Sequence, residues 1–296
     1  MRLPRLAIGL AAVLVIVACR PSTTEAPQLP GAIDQPPMAA SPLPAPTGLV
    51  TAGQLTVAIV PTLPVQQYLD KAGKPAGFDI DLAGAIASQL GLKVAFQQVE
   101  REDDIVPGFA DKDRKYDFGL ADQVDSPALD AGAKTLPYFT TGQALLVPAS
   151  DTSTQSPADL CGQSIGALRN SAGELVVLRR NDVRCKDNKL QYQPYDDGAK
   201  ALPDLRAGSL KAYIDEYATV VFFARVQSGL RVVPHPLGQA KEVMVFSISD
   251  SALHDAVAGA LDRLKADGTY AALLKKWGLD EGAVDAPVAS PVPSPS

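Results

Sequence analysis

The segment KPAGFDIDLAGAIASQLGLKVAF, Lys74 to Phe96, decides how the first part of this chain folds. A glycine, an aromatic residue and two aspartates stand before an apolar run that ends at a second glycine. The helix dipole favours acidic side chains in a first turn, and glycine readily adopts the left-handed conformation that follows a last turn. The segment therefore predicts a helix with Asp79 and Asp81 in its first turn, both in structural roles, ending at Gly91 before a strand.

Strand-like and helix-like runs alternate through the middle of the chain. QLTVAIV places apolar residues at Leu55, Val57 and Ile59, and further strand candidates are KVAFQQV, YDFGLA, QALLVPA, SIGALR, KAYIDE, GLRVVPH and EVMVFSIS. The run SALHDAVAGALDRLKADG has apolar residues at helical spacing, opens with Ser251 as a candidate N-cap and stops at Gly268. This alternation predicts an α/β fold.

Composition and charge exclude one class of function. The chain has 296 residues, of which 46% are hydrophobic, and a formal net charge of -6. It can therefore bury a sizeable core, in one large or two smaller domains. Binding to nucleic acid requires a basic surface, and the sequence has no run rich in Lys or Arg. Nucleic acid is therefore not expected as a partner.

The N-terminus, MRLPRLAIGLAAVLVIVACR, has the pattern of an export signal. Two arginines precede an apolar run of roughly 13 residues, where a membrane-spanning helix needs about 20. The sequence IVAC resembles the bacterial lipobox, which implies that residues 1–18 are a lipoprotein signal peptide and that Cys19 is lipidated. The alternative is an ordinary secretory signal in which this cysteine has no role.

Proline-rich segments flank the central part of the chain. Residues 19–49, which begin with the lipidated cysteine, are predicted to be an extended tether, and residues 281–296 a disordered tail. Export also affects the other two cysteines, Cys161 and Cys185, because thiols in an oxidising compartment tend to pair. A disulfide closing roughly 24 residues would stabilise the fold by about 3 kcal/mol. The alternative is a pair of buried free thiols.

Several motifs occur in an order that suggests a known family. They are GKPAGFDIDLAGAIASQLGLKVAF, PYFTTGQALLV, DLCGQSIGALRNSAGE, LRAGSLKAYIDE and LDRLKADGTYAALLKKWGL. In this order they resemble the family 3 extracellular solute-binding proteins of ABC transporters, in the polar amino acid group. The resemblance extends over most of residues 53 to 278.

The resemblance implies an α/β, type II periplasmic-binding-protein-like clamp, with two lobes joined by two crossover strands. Lobe 1 would comprise residues 50–146 plus 241–280, and lobe 2 residues 147–240. A small-molecule ligand would be held in the cleft between the lobes, and a membrane ABC permease would read the closed form. A monomer, anchored to the membrane by lipid on the extracytoplasmic side of a bacterial cell, is expected.

The arginine that amino-acid binders of this family use to clamp the ligand carboxylate is missing here. That arginine lies in a T-x-x-R pattern shortly before the PY dipeptide, and here the position falls at Ala128 or Leu129. The nearby loop instead offers Asp122, Gln123, Asp125 and Ser126 as candidate ligand-binding residues. For each acid the alternative is a solvated loop carboxylate.

The second lobe supplies four further candidates by resemblance. Asn170 and Ser171 occupy the family's anion-binding turn, where free N–H groups at a helix N-terminus accept an anion, although Ser171 could also be a plain N-cap. Arg169 would replace the missing clamp from this lobe, or lie on the surface. Glu216 stands where the family has an aspartate that accepts hydrogen bonds from the ligand's ammonium group, and its alternative is a surface acid.

Three ligand hypotheses remain open: an amino acid bound through Arg169, Ser171 and Glu216; a cationic amine without a carboxylate; and a cleft that has lost ligand binding. Lysine-like or polyamine-like cations are predicted to bind better than glutamate. The competing functions are a lipid-anchored ligand sensor and a clamp-fold enzyme of dehydratase type, with Glu216 as general acid. The sequence has no phosphate loop, nucleophile elbow or metal-ligand motif, so no catalytic activity, cofactor or metal is expected.

Overall fold

The computed structural model describes residues 29, 36, 39–110, 113–234 and 236–284. The predicted signal peptide, Cys19 and most of the C-terminal tail lie outside these residues. The strands of the described residues are β1 (Gln54–Ile59), β2 (Thr62–Leu63), β3 (Gln67–Leu69), β4 (Pro75–Ala76), β5 (Lys93–Gln98), β6 (Phe118–Gly119), β7 (Ala133–Pro148), β8 (Ser164–Leu168), β9 (Gln191–Tyr195), β10 (Ala212–Glu216), β11 (Leu230–Val232) and β12 (Leu237–Ser247). The α-helices are α1 (Phe78–Gln89), α2 (Ile105–Phe109), α3 (Pro127–Asp130), α4 (Ala172–Val183), α5 (Ala201–Ala207), α6 (Tyr217–Val226), α7 (Ser251–Ala266) and α8 (Thr269–Trp277).

One large sheet organises these elements. Its strand order is β5-β1-β6-β12-β7-β10-β8-β9, and β11 also pairs with β7. The pairs of β1 with β5 and β6, and of β8 with β9 and β10, are parallel, as helical crossovers between strands require. Strands β7 and β12 are antiparallel to each other and to their other neighbours. A separate small sheet contains β2, β3 and β4.

The long strands β7 and β12 connect the two halves of the large sheet. Strand β7 has 16 residues and β12 has 11. They pair from Ala133 opposite Ser247 to Gln143 opposite Leu237, with two register shifts on the way. The later part of β7 then pairs with β10 and β11. Both strands therefore pass from one group of parallel strands to the other.

Helix α1 confirms the prediction from the opening segment. Gly91 follows it with a φ of 66°, and Gly77 precedes it with a φ of 135°. A Cβ atom on Gly77 would overlap the backbone carbonyl of Gln66, so this position requires glycine for its conformation and for space. All residues from Phe78 to Ser88 are buried, because α7 and α8 cover the face that points away from the sheet.

The two aspartates of α1 form hydrogen bonds with residues outside the helix. Asp81 Oδ2 accepts hydrogen bonds from Lys276 Nζ at 2.6 Å and from Trp277 Nε1 at 2.7 Å, both in α8. Asp79 Oδ2 accepts from Gln67 Nε2 at 2.6 Å and from the Tyr138 hydroxyl at 3.1 Å. Burial raises the pKa of Asp79 to about 8. These contacts support the structural interpretation of both side chains.

Two further predictions concern a helix cap and a disulfide. Ser251 is the first residue of α7 and does not cap it, because the Asp250 carboxylate accepts the Leu253 N–H at 3.2 Å. An aspartate before the first turn accepts this bond as a serine would.

The predicted pairing of Cys161 with Cys185 is present, with their Cα atoms 5.3 Å apart. Each helix within the described ranges is too short or too polar to cross a membrane.

Candidate functional site

Three carboxylates meet near the middle of the large sheet. Asp122, Glu216 and Glu242 each place one carboxylate oxygen within 4.8 Å of the others. Asp122 lies in the loop after β6, Glu216 is the last residue of β10, and Glu242 lies in the middle of β12. We call these three residues the acid cluster. It combines side chains from both groups of parallel strands and from a strand that connects them.

The loop after β6 is held against β12 by backbone contacts. The Val243 N–H donates to the Gln123 carbonyl at 2.9 Å, and Val124 forms a β-bridge with Glu242. Asp122 has a φ of 57°, in the left-handed region that aspartate tolerates better than most residues. The turn at Asp122 and the β-bridge together bring its carboxylate to Glu242.

Strand pairing places Glu216 at the cluster. Glu216 is opposite Gln143 of β7, and Gln143 is opposite Leu237 of β12 on its other side. The Thr141 hydroxyl donates to Glu216 Oε1 at 2.9 Å. This contact orients the Glu216 side chain along β7, and burial raises the pKa of its carboxyl group.

Glu242 is the most enclosed member of the cluster. It is fully buried, and its Oε2 accepts a hydrogen bond from Gln66 Nε2 at 2.6 Å and one from the Tyr138 hydroxyl at 3.3 Å. Its Oε1 is buried and has no hydrogen-bond partner among the described residues. Asp122 Oδ1 is in the same condition. These two oxygens belong to neighbouring acids, so a proton between Asp122 and Glu242 would give both a partner.

Crowding of like charges perturbs the acidity of the cluster. Burial, followed by the negative charges of Glu242 and Glu216, raises the pKa of Asp122 to about 11. Burial raises the pKa of Glu242 to about 8. Near neutral pH, Asp122 is therefore protonated and can donate a hydrogen bond to Glu242. A cation placed among the three groups would favour their ionised forms.

A pocket of about 490 Å³ lies beside the cluster. Its polar lining includes Glu102, Asp103, Asp122, Gln123 and Ser126. No arginine or lysine is among its lining residues in the described part of the chain. The pocket is therefore negatively charged along its polar side.

The other predicted residues of the loop after β6 mainly support its structure. The Gln123 side-chain Nε2 donates to the Glu102 carbonyl at 2.9 Å. Asp125 is exposed, and its backbone N–H donates to the Lys241 carbonyl. The Ser126 hydroxyl caps α3 by accepting the Leu129 N–H at 3.3 Å. Their predicted contacts with a ligand stay a prediction.

The three predicted residues at the start of α4 bond to Asp196 and Glu174, and none of these bonds involves the acid cluster. Arg169 is exposed and forms an ion pair with Asp196 at 3.1 Å. Asn170 has a φ of 58°, and its N–H donates to Glu174 Oε2 at 2.6 Å. The Ser171 hydroxyl caps the helix by accepting the Glu174 N–H at 3.1 Å. Of the predicted site residues, the structure thus brings Asp122 and Glu216 together. Arg169, Asn170 and Ser171 bond to other residues instead.

The sequence interpretation missed Glu242 and Gln66. Glu242 begins the apolar run EVMVFS, where a charged residue next to buried strand positions is unusual and requires a partner. That signal was available from the sequence. Gln66 could not be found in this way, because its partner Glu242 is 176 positions away.

Comparisons with known proteins identify the family of this chain. Residues 55–280 match the family described as bacterial extracellular solute-binding proteins, family 3. The arginine-binding protein ArgT of Corynebacterium glutamicum is 26% identical over 247 residues, which cover 81% of this chain and 79% of that protein. The membrane-bound lytic murein transglycosylase F of Yersinia pestis is 24% identical over 290 residues, which cover 94% of this chain and 54% of that protein.

A solved structure shows the same fold. The crystal structure of a polar amino acid ABC uptake transporter substrate-binding protein from Streptococcus thermophilus superposes with a TM-score of 0.68 at 21% identity, covering 79% of this chain and 90% of that chain. The predicted fold class, an α/β two-lobe clamp of type II, is confirmed. Strands β7 and β12 are its two crossover strands.

Proposed function

This chain belongs to the bacterial extracellular solute-binding proteins, family 3, and from that premise we propose that it captures a cationic small molecule for an ABC importer. The solute is an amino acid with a positively charged side chain, or a related amine. It binds in the cleft between the lobes, and the closed protein delivers it to a membrane permease. ArgT, named above as an arginine-binding protein, supports a cationic solute.

The acid cluster is the observation that carries this proposal. Asp122 and Glu216 come from the two groups of parallel strands, and Glu242 comes from a strand shared by both. A cation that contacts all three lowers the free energy of the closed form and not that of an open one. Differential affinity of this kind is what drives a clamp to close on its ligand.

The surroundings of the cluster favour recognition of a positive group over recognition of a carboxylate. Arg169, the candidate replacement for the missing arginine clamp, is paired with Asp196. The hydroxyl of Ser171 accepts one backbone hydrogen bond and donates another, to the Leu168 carbonyl at 2.7 Å. An anionic solute would place its charge beside three acids in a buried setting, which is unfavourable.

The remaining parts of the proposal concern location and domain limits. Cys19 is proposed to carry the lipid anchor that holds the protein on the extracytoplasmic face of the membrane. Residues 50–146 plus 241–280 are proposed to form lobe 1 and residues 147–240 lobe 2. The two strands that connect the lobes, β7 and β12, support this division, because each spans the central part of the sheet.

Isothermal titration calorimetry with L-lysine, L-arginine, putrescine and L-glutamate tests the solute class. The cations are expected to bind and glutamate is not. Glu216→Gln should weaken binding of the cations, whereas Asp187→Asn, which removes an exposed acid that does not line the pocket, should leave binding nearly unchanged. Tighter binding of glutamate than of lysine would contradict the proposal.

An enzyme of dehydratase type is the second candidate function. The buried acids favour it, because a carboxyl group with a raised pKa, such as that of Glu242, can act as a general acid near neutral pH. Native mass spectrometry separates the two functions. A binding protein releases its small molecule with unchanged mass, whereas an enzyme converts it to product. The lipid-anchored sensor differs from the importer component in having no cognate permease.

A further inference from the structure

We propose that the outward face of α4 binds an anionic lipid surface, with exposed aliphatic side chains entering the headgroup region and neighbouring basic side chains contacting the headgroups. This surface lies on the proposed lobe 2, and it is separate from the acid cluster and from the solute. We call it the α4 face, and it consists of Leu175, Leu178, Arg179, Val183, Arg184, Lys186 and Lys189.

Helix α4 presents its larger aliphatic residues to solvent. It packs on β8 and β10, and the buried residues of the helix are only Gly173 and Val177. In contrast, the exposed fractions of Leu175, Leu178 and Val183 are 58%, 45% and 63%. An ordinary surface helix has the opposite arrangement, with its apolar face toward the core. The outward leucine and valine side chains therefore add little to the packing of the fold.

These three side chains share one side of the helix. Leu178 and Val183 stand three and eight positions after Leu175, which places all three within less than half a turn of one another around the axis. The structure exposes seven large hydrophobic residues among those it describes, and the other four are dispersed over different parts of the chain, at Val50, Leu69, Val124 and Ile248. Concentration of exposed apolar residues on one element is typical of a binding surface.

Basic side chains surround the aliphatic ones. Five basic residues and two acids lie between Arg179 and Lys189, so this segment has a formal charge of +3 in a chain whose net charge is -6. The four basic residues of the α4 face are exposed, and none of them forms an ion pair with a residue that the structure describes. Their charges are therefore available to an anionic surface.

The disulfide holds the basic segment beside the helix. Cys185, which is bonded to Cys161, follows α4 closely, and its N–H donates to the Arg180 carbonyl at 3.0 Å. The Asn181 side chain accepts the Leu190 N–H at 2.6 Å and donates to the Leu190 carbonyl at 3.2 Å. The chain between Asn181 and Leu190 is thus fixed at both ends. The basic and aliphatic side chains therefore stay next to each other.

Charge and composition favour a lipid surface over other occupants of the α4 face. A second copy of this chain would bring the basic side chains of two such faces together, which is unfavourable. Protein partners are usually held by buried aromatic anchors, and no aromatic residue lies between Ala172 and Lys189. A lipid surface requires no such anchor, because it takes up aliphatic side chains and attracts each basic residue separately.

The proposed lipid at Cys19 would place a membrane within reach of the α4 face. The first anchored residue of the continuous part of the structure is Ala39, whose N–H donates to the Ser88 carbonyl at 3.3 Å. The 20 peptide steps from Cys19 to Ala39 can span at most about 70 Å. A lipid chain and a basic surface together hold a protein at a membrane more firmly than either does alone.

Co-sedimentation with lipid vesicles tests the α4 face on residues 20–296, which keep every described residue and lack the predicted signal peptide and lipidation site. Vesicles of phosphatidylcholine and phosphatidylglycerol in equal parts are expected to bind the protein at least about tenfold more tightly than phosphatidylcholine alone, and added salt should weaken this binding. Leu175→Ser with Leu178→Ser should weaken it by about fivefold or more, because two apolar contacts are lost. Arg179→Gln with Arg184→Gln should weaken it to a similar extent.

Two control variants make matched changes outside the α4 face. Leu69→Ser with Ile248→Ser removes two aliphatic side chains whose exposed fractions are 42% and 55%. Lys93→Gln with Lys275→Gln removes two exposed basic side chains. Both variants should bind the mixed vesicles as tightly as the unaltered protein does. Circular dichroism checks that all four variants are folded.

Three results would overturn the proposal. The first is equal or absent binding to the two kinds of vesicle, and the second is binding to the mixed vesicles that both α4 variants retain in full. The third is a dimer, detected by light scattering, that Leu175→Ser with Leu178→Ser dissociates, because the α4 face would then belong to a second copy. None of the substituted residues of α4 lines the solute pocket, so the titrations with lysine and glutamate fail or succeed separately.

Discussion

Gln66 Nε2 donates a hydrogen bond of 2.6 Å to Glu242 Oε2, although the two residues are 176 positions apart in the chain. Both side chains are almost completely buried. The contact joins the segment before α1 to the crossover strand β12. It also fixes the orientation of one carboxylate of the acid cluster. The amide of Gln66 therefore has two roles: it stabilises the fold, and it positions Glu242 in the acid cluster.

Replacement of Gln66 by Ala should lower the free energy of unfolding by about 1–3 kcal/mol, because it leaves a buried carboxylate oxygen with only the weaker contact from Tyr138. Urea denaturation followed by circular dichroism measures the change. Gln98→Ala is the control, since Gln98 is exposed and its loss should change stability by no more than about 0.5 kcal/mol. Equal effects of the two substitutions would show that the contact with Glu242 contributes little.

Gly77→Ala should destabilise the protein by more than the strain of a positive φ alone. The new Cβ would overlap the Gln66 carbonyl, whereas Gly53, which also has a positive φ, has open space around its Cβ position. Gly53→Ala is therefore expected to cost about 1 kcal/mol and Gly77→Ala clearly more. Chemical denaturation of both variants gives the comparison. Similar costs would show that the backbone near Gln66 moves away easily.

The stability of the protein should fall as the pH rises from about 4 to about 8. Burial raises the pKa of Asp79 to about 8 in the folded state, so the folded protein retains a proton in this window that the unfolded chain releases. The pKa values of Asp122 and Glu242 are also raised in the folded state, so these two groups likewise lower the stability as the pH rises. The free energy of unfolding should therefore be higher at pH 5 than at pH 8.

Asp79→Asn is expected to make this pH dependence shallower, because the amide does not titrate. The two pH values are compared by urea denaturation of both proteins. Asp103→Asn should keep the original dependence, since Asp103 is exposed. A slope for Asp79→Asn that matches that of the unaltered protein would mean that Asp79 is ionised in the fold.

Removing the disulfide between Cys161 and Cys185 should cost about 3 kcal/mol, as expected for a loop closed across 24 residues. The double substitution to Ser is compared with the unaltered protein by urea denaturation, with and without a reducing agent. The reducing agent should destabilise the unaltered protein and leave the double variant unchanged. If the reducing agent affected both proteins equally, the effect would not come from this bond.

Local signals in the sequence were sufficient for most strands and failed where tertiary contacts dominate. QLTVAIV and KVAFQQV became β1 and β5, because their apolar residues face a buried layer. Strand β9, Gln191–Tyr195, was not predicted, since Pro194 argues against a strand. It lies at the edge of the sheet, pairing only with β8, and an edge strand tolerates proline. Strand β7 begins at Ala133, well before the predicted QALLVPA, because its pairing with β12 extends it.

The candidate site was predictable to a smaller extent. Resemblance pointed to Asp122 and Glu216, which the structure brings together. It did not point to Glu242, whose place in the site depends on the order of β6, β12 and β7 in the sheet. Neighbours in that order are far apart in the chain, so periodicity carries no information about them. A charged residue next to a buried strand was the only local sign.

The position of Glu242 in a crossover strand has a consequence for how this protein can acquire new preferences. Its carboxylate is attached to backbone that pairs on both sides, with Val124 in a β-bridge and with Phe139 of β7. Any change of sequence that relocates it would also disrupt the connection between the lobes. Engineering of altered selectivity is therefore expected to succeed more easily at Asp122 and Glu216, which lie outside the paired middle of a strand, than at Glu242.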